Sequence, residues 1–549
     1  RAGPVPRKTG IAAPHRLVDG RRLAHSAGDL PTGLGEGSSL NRRNVLLITT
    51  DQQRHDALGC TGGRIARTPV LDRLAGEGVV YDQARNQNVV CMPARSTILT
   101  GQHIRRHGVV SNGIPLPEDA PHVARILNDA GYATALIGKA HFEPASHTDF
   151  FENRAAAAGN FGPHRGFDRM ELAGHTGRPG RSLFHYPKWL ADRHPDHVED
   201  YYQTVVGRQV NGAGGGDTGA PQVWHNPIPR DLYHTDWTAD RAIDWLESLA
   251  GDAPWFLWLS FPDPHHPWDP PQSQLGRVNW RDLDLPAGYP GSAEACRELL
   301  AGKPRHWLDW YEGRRRFNFE TPPSFRPADL TPDQIREIDA VTHVENELID
   351  EAVGRVMDAI GAYGWDADTD VLYTTDHGEF QGDFGMLFKG PYHVDSLMRV
   401  PMFWRPAPSA GATSGRVAAP VGHVDLAPTI CAIAGLTPDP EMQGAPLPLD
   451  EAAGAGRACT FTEWHDRFEE TDVDLVTMTT RDWIVTVYEP GNYFTGEEGE
   501  LYDLANDPRQ WFNLWDDPGY RKVRDELVAA LRESMPAGRA EPLEKIAPV

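Results

Sequence analysis

The sequence predicts an α/β fold: a mixed, mostly parallel sheet flanked by helices, followed by a smaller C-terminal subdomain of antiparallel β-sheet plus helix. Three observations carry this. Continuous apolar runs of strand length recur along the chain, amphipathic helical patterns alternate with them, and beyond about residue 450 the style changes to short β-type runs separated by turns. Repeated strand-then-helix order marks a doubly wound sheet, because each parallel strand needs a crossover and the crossovers cover both faces.

The elements follow in order. Asn44–Thr50 is an apolar run suited to a strand covered on both faces. Thr68-Pro69 opens a helix through Ala75, with Thr as cap and Pro pre-set for the first turn. Val79–Tyr81 is a short strand. Residues 121–130 carry Val123, Ile126 and Leu127 at helical spacing; Gly131 stops that helix and Ala133–Ile137 returns as a strand. Thr238–Leu249 is a helix and Trp255–Phe261 a buried strand. Residues 332–361 form the longest helix, striped by Ile335, Ile338, Val341, Val344, Leu348, Val353, Val356 and Ile360, and Asp370–Thr374 is the next strand. The segment 151–235 is rich in Gly, His, Trp and Pro without clear periodicity. It reads as a loop-rich insertion over the sheet, of the kind that shapes substrate pockets. Thr460–Thr462, Leu475–Thr479, Trp483–Tyr488 and Glu500–Leu504 are the late β runs, and 520–534 is amphipathic. The expected organisation is a flexible arm over 1–41, a main domain over 42–449 and a C-terminal α+β subdomain over 450–549.

Composition removes several function classes. Lys and Arg number 53 against 77 Asp and Glu, a net charge of −24. Such a surface repels nucleic-acid backbones and anionic lipid, so neither is an expected partner. No run approaches the length of a membrane-spanning helix. Residues 1–41 contain no apolar stretch typical of an export signal, so a cytoplasmic location is the expectation. The five cysteines are widely spaced and include no CxxC pair, which suggests neither a zinc ribbon nor a disulfide framework. Oligomeric state is not legible.

Charged residues collect where strands end, and in open α/β sheets ligands bind beyond those carboxyl ends. Asp51-Gln52 follows the first strand, Lys139 and His141 the second of these, His265-His266 the third and Asp376-His377 the fourth. Two carboxylates, an amide oxygen and an imidazole from Asp51, Gln52, Asp376 and His377 can enclose one divalent cation. Oxygen predominance favours Ca²⁺, with Mg²⁺ or Mn²⁺ as alternatives.

Cys91-Met92-Pro93-Ala94-Arg95, followed by Leu99-Thr100-Gly101, resembles the signature of the type I sulfatases of the alkaline phosphatase superfamily. Further matching pieces are Gly138-Lys139-Ala140-His141, Pro264-His265-His266-Pro267, Asp376-His377-Gly378-Glu379, Phe388-Lys389-Gly390-Pro391, Arg399-Val400-Pro401, His423-Val424-Asp425 and Leu501-Tyr502-Asp503-Leu504. The resemblance spans about 44 to 515. It implies an alkaline-phosphatase-like main domain, and Cys91 oxidised by a separate maturase to Cα-formylglycine, whose hydrate also meets the cation. It implies attack by that hydrate on a small-molecule sulfate monoester, through a covalent sulfo-enzyme intermediate. Charge makes Lys139, Lys389 and Arg95 the candidates to hold the sulfuryl oxygens. The resemblance further implies that Arg95 holds the formylglycine, His265 protonates the leaving alkoxide, His141 assists at the formylglycine hydroxyls and Asn112 bonds a substrate oxygen. His266, adjacent to His265, is the alternative acid. His103, His107, His393, His423 and Glu379 read as supporting residues.

Two other readings stand beside sulfate hydrolysis. Phosphonate monoester hydrolases share the C-x-P-x-R core and a metal set of Asp, Gln, Asp and His, but usually lack the K-x-H pair supplied here by Lys139 and His141. A catalytically inactive anion-binding homologue is the second. Retention of Cys91, Arg95, both lysines, both histidines and the metal set argues against it.

Overall fold

The computed structural model describes residues 42–144, 150–174, 184–201, 214–249, 253–317, 325–411 and 414–547. The expected arm over 1–41 lies outside the described residues, as do 175–183 and 202–213 of the loop-rich segment.

The main sheet has eight strands: β1 (Asn44–Thr50), β2 (Val79–Tyr81), β3 (Ala133–Gly138), β4 (Arg169–Leu172), β5 (Trp255–Ser260), β6 (Thr369–Thr375), β7 (Met402–Arg405) and β8 (Gly415–Val417). Their order is β8-β2-β7-β6-β1-β5-β3-β4. β1 lies centrally and pairs in parallel with β5 (Ile48 opposite Leu259) and with β6 (Ile48 opposite Tyr373). β3 is parallel to β5 and to β4, whereas β7 runs antiparallel between β6 and β2. The carboxyl ends of β1, β3, β5 and β6 therefore share one edge.

Alternation along β1 shows why the run is apolar throughout. Val45 and Leu47 join one core cluster with Ile98 and Leu99 of α2 (Cys91–Thr100), Val123 and Leu127 of α3 (Val123–Asp129), and Leu426 and Ile430 of α6 (Leu426–Ile433). Leu46 and Ile48 join the opposite cluster. Its helical members are Leu71 and Leu74 of α1 (Pro69–Gly76), Ala242 and Leu246 of α4 (His234–Ser248), and Ile349, Val353 and Val356 of α5 (Pro332–Ala362). Both faces are dry, which removes apolar area from water at about 25 cal/mol per Å². Helix α5 begins with a reciprocal cap: Gln334 N–H donates to Thr331 Oγ1 (3.2 Å) and Thr331 N–H to Gln334 Oε1 (3.0 Å).

Two local expectations need correction. Thr68 does not cap α1 with its side chain; the N–H groups of Val70 and Leu71 donate to Asp350 of α5 (3.2 and 2.8 Å). The segment read as loops supplies the edge strand β4 and a helix, His185–Arg193.

Beyond the main sheet, β9 (Cys459–Phe468), β10 (Thr471–Thr480), β11 (Trp483–Tyr488) and β12 (Gly499–Asp503) form a four-stranded antiparallel sheet in sequential order. Helix α7 (Arg521–Ser534) covers one face through Leu527 and Leu531. The other face packs Trp464, Ile484 and Tyr502 against Phe384 and Phe388, in the loop that follows β6. Among the described residues, no helix is long and apolar enough to cross a membrane. All five cysteines are free.

Candidate active site

Helix α2 is buried over its whole length, and its first residue is Cys91. Four residues on, and so on the same face, Arg95 is fully buried and ties the strand ends together. Its Nε donates to Asp376 Oδ2 beyond β6 (2.8 Å). Nη1 donates to the Lys139 carbonyl beyond β3 (2.9 Å) and to Ser260 Oγ of β5 (2.8 Å), and Nη2 to the Thr50 carbonyl of β1 (3.5 Å). One guanidinium thus sets the mutual position of four strand ends.

The groups so placed converge on Cys91 Sγ. His377 Nε2 lies at 3.2 Å, Lys139 Nζ at 3.6 Å, Lys389 Nζ at 3.7 Å and Asp51 Oδ1 at 3.7 Å. Burial first, and the Asp51 carboxylate second, push the thiol pKa well above its ordinary value. A thiol held protonated is a poor nucleophile as it stands.

The residues present suit a divalent cation. Ligand atoms of Asp51, Cys91, Asp376 and His377 lie within 4.8 Å of one another. His377 Nδ1 faces the Gly378 carbonyl at 3.0 Å. A carbonyl only accepts, so Nδ1 carries the hydrogen and Nε2 turns its lone pair inward, 3.7 Å from Asp51 Oδ1 and 3.6 Å from Asp376 Oδ1. Burial lowers the His377 pKa, which keeps that lone pair available. Gln52 is oriented by its amide nitrogen, which donates to Glu379 and contacts His266 Nδ1 at 3.0 Å; Oε1 is left facing Lys389 Nζ. The two ammonium groups lean on the same oxygens, Lys139 on Asp51 and Lys389 on Gln52.

The adjacent histidines divide. His265 Nε2 meets Lys389 Nζ at 2.7 Å, whereas His266 turns to Gln52. Their rings stack at 4.1 Å. Phe388 is buried against the His266 ring (4.8 Å) and stacked on Trp268 (6.0 Å), in a left-handed backbone conformation (φ 65°) that turns the next residue, Lys389, toward Cys91. Gln52 (φ 63°) and His141 (φ 59°) share that unusual conformation, and such outliers persist where surrounding structure enforces them. His141 is half-buried two residues beyond Lys139, and its N–H donates to Glu152 Oε2 (3.0 Å). Burial and the neighbouring Glu143 raise Glu152 to about 8. Asn112 Oδ1 accepts the Met92 N–H at 3.0 Å and so sits at the mouth of α2.

The structure brings the expected residues Asp51, Gln52, Cys91, Arg95, Lys139, His265, Asp376, His377 and Lys389 into one contiguous cluster, with Asn112 adjoining through Met92 and His141 following Lys139. Sequence reading missed Ser260 and Glu152. Ser260 is the last residue of a buried strand, and Glu152 lies in the aperiodic segment; neither belongs to a recognisable motif.

Comparison with known proteins agrees with the geometry. Residues 43–436 match the Sulfatase family model, and residues 382–536 match the C-terminal model of N-sulphoglucosamine sulphohydrolase. An arylsulfatase of Clostridium perfringens is 27% identical over 507 residues, 91% of this chain and 95% of the relative. A multifunctional alkaline phosphatase superfamily protein of Trinickia caryophylli is 29% identical over 518 residues, 90% of this chain and 95% of the relative. The crystal structure of a phosphonate monoester hydrolase of Agrobacterium radiobacter superposes with a TM-score of 0.71 at 25% identity, covering 90% of this chain and 96% of the other. With the Sulfatase model spanning the main sheet and every strand-end group, the chain belongs to the sulfatase family, within the alkaline phosphatase superfamily, and is a sulfuric ester hydrolase.

Proposed function

We propose that the chain hydrolyses a small sulfate monoester at residue 91, after a separate maturase oxidises Cys91 to Cα-formylglycine, and releases the alcohol and inorganic sulfate. The observation that carries this is the convergence of His377, Lys139, Lys389 and Asp51 on one atom, Cys91 Sγ. Two geminal hydroxyls on the matured residue would let one attack sulfur and the other, on losing its proton, expel sulfate. Asp51, Gln52, Asp376 and His377 would hold a divalent cation, Ca²⁺ ahead of Mn²⁺ or Mg²⁺, which when bound supplies Lewis acidity there.

The chain's own groups do the rest. Lys139 and Lys389 offset the charge of the sulfuryl oxygens in a site where burial strengthens each contact. The leaving oxygen takes its proton from the His265–Lys389 pair, joined at 2.7 Å. Lys139 and His265 are almost fully enclosed, 6% and 8% exposed, which supports a small substrate over a polymer. In protein made with a maturase, the Cys91 peptide should be about 18 Da lighter than the thiol form. Cys91→Ala should cost about 10⁵-fold in turnover of an aryl sulfate, with the fold retained. An unmodified thiol and no hydrolysis would sink the reading.

Phosphonate monoester hydrolysis is the second reading. The likeness to the Agrobacterium radiobacter hydrolase and the Asp, Gln, Asp, His set favour it; Lys139, 3.6 Å from Cys91 Sγ, favours sulfate. Relative turnover of an aryl sulfate and an aryl phosphonate monoester decides between them.

A further inference from the structure

Residues 536–547 leave α7 and cross the segment 105–113. Arg539 N–H donates to the Arg105 carbonyl (2.8 Å) and its Nη1 to the His107 carbonyl (3.0 Å). Farther on, the N–H groups of Ile546 and Ala547 both donate to the Gly113 carbonyl (3.0 and 3.3 Å). Lys545 pairs with Asp466 (2.7 Å), and Leu543 packs against the main-sheet core. Two glycines make the crossing possible. A Cβ on Gly108 would meet Arg539 Cδ at 2.6 Å, one on Gly113 would collide with the Ala547 carbonyl oxygen, and both residues have positive φ (83° and 89°).

The crossed segment ends in the turn Ser111-Asn112-Gly113. Asn112 Oδ1 accepts the Met92 N–H (3.0 Å), and Gly113 N–H meets Met92 Sδ (3.2 Å). Met92 follows Cys91 in the first turn of α2, where N–H groups have no intrahelical acceptor. Earlier in the crossed segment, His107 Nε2 meets Thr97 Oγ1 of α2 at 3.0 Å. The 536–547 segment thus grips, through Gly113 and His107, the turn that caps the helix bearing residue 91.

We propose that residues 536–547 are a positioning strap, which fixes Asn112 against the mouth of α2 and so sets the substrate side of residue 91. The inference deepens the proposed function and rests on its reading of Cys91 and Asn112 as site residues. None of the strap residues is assigned contact with substrate; they act through Gly113 and Asn112.

The test uses the full chain with Ile546→Pro and Ala547→Pro together, which deletes both donors to Gly113. Ile546 is 42% exposed, so no core side chain is lost. Amide exchange at Met92 should quicken by about tenfold, and KM for an aryl sulfate should rise by about fivefold with kcat within about twofold, the scale of one or two lost hydrogen bonds. In an Asn112→Ala background the same two prolines should leave KM unchanged. Unaltered exchange at Met92, or an equal KM rise with and without Asn112, would overturn the strap. If the double variant does not fold, Ile546→Pro alone, which deletes the shorter of the two bonds to the Gly113 carbonyl, carries the same readouts. Should the parent protein hydrolyse no sulfate ester, the proposed function fails by itself, and the exchange comparison still decides for or against the strap.

Discussion

Lys139 and Lys303 are buried to the same degree, each 6% exposed, yet their surroundings are built on different plans. Lys303 Nζ donates to Tyr502 Oη (2.5 Å) and the Gln510 carbonyl (2.7 Å), and lies 4.7 Å from the Trp307 ring. Glu500 beside it accepts from Trp307 Nε1 (3.1 Å) and from the hydroxyls of Tyr488 and Tyr502. Burial lowers Lys303 to about 8 against the opposing pull of Glu500. The contacts of this network end on other protein groups and seam the C-terminal sheet to the helix His306–Tyr311. Around Lys139, by contrast, two ammonium groups, one imidazole and one carboxylate converge on a single sulfur atom, Cys91 Sγ. A closed network gives cohesion, while a convergent one offers charge to whatever occupies its focus.

Removing one member of each network should separate the two plans. Arg95→Met carries the largest expected effect. It strips a fully buried partner from Asp376 and frees four strand ends. We expect a stability loss of about 3–5 kcal/mol, read by denaturant titration, together with a fall in kcat/KM of more than about 10³-fold. A variant that kept its activity would show that the strand ends hold the site without the guanidinium. Lys303→Met, of similar length, should cost about 2 kcal/mol and leave kcat/KM within about twofold. A large kinetic loss there would mean that the closed network also serves the chemistry.

The convergent cluster was legible in the sequence because parallel strands deliver their carboxyl ends to one edge. Asp51, Lys139, His265 and Asp376 each follow an apolar run, so their meeting follows from the topology. Arg95 was legible from its motif, but its office as the tie between four strands was not, because those partners come from positions 50, 139, 260 and 376. The cap of α1 was misread for the same reason: Asp350 lies far along the chain and outcompetes the local Thr68. The strand β4, Arg169–Leu172, alternates polar and apolar residues, but over only four positions, too few to stand out in the aperiodic segment. The crossing of 536–547 over Gly108 and Gly113 left no trace beyond two glycines.

The smallest expected effect lies at the edge of the C-terminal sheet, where a third cluster falls between the two plans. Glu463 accepts from Arg105 Nε (2.6 Å) and lies 3.2 Å from His465 Nε2, whose Nδ1 is 3.1 Å from Asp474. Burial opposes the imidazolium, but the hydrogen bonds to Asp474 and Glu463 outweigh it and raise His465 to about 9. Its ordinary value is 6.5, so the folded state binds this proton more tightly than the unfolded one. The stability it contributes is fully present below pH 6.5 and is lost as pH rises through about 9. His465→Gln keeps a donor but no charge. It should lower stability by about 1 kcal/mol at pH 6, and the gap from the parent should close by pH 10. Because the ring is 25% exposed and its hydrogen bonds go to Glu463 and Asp474, neither of which is a site residue, the pH profile of turnover should not move with it. A gap that stayed constant across this range would mean that His465 is held by packing and not by charge.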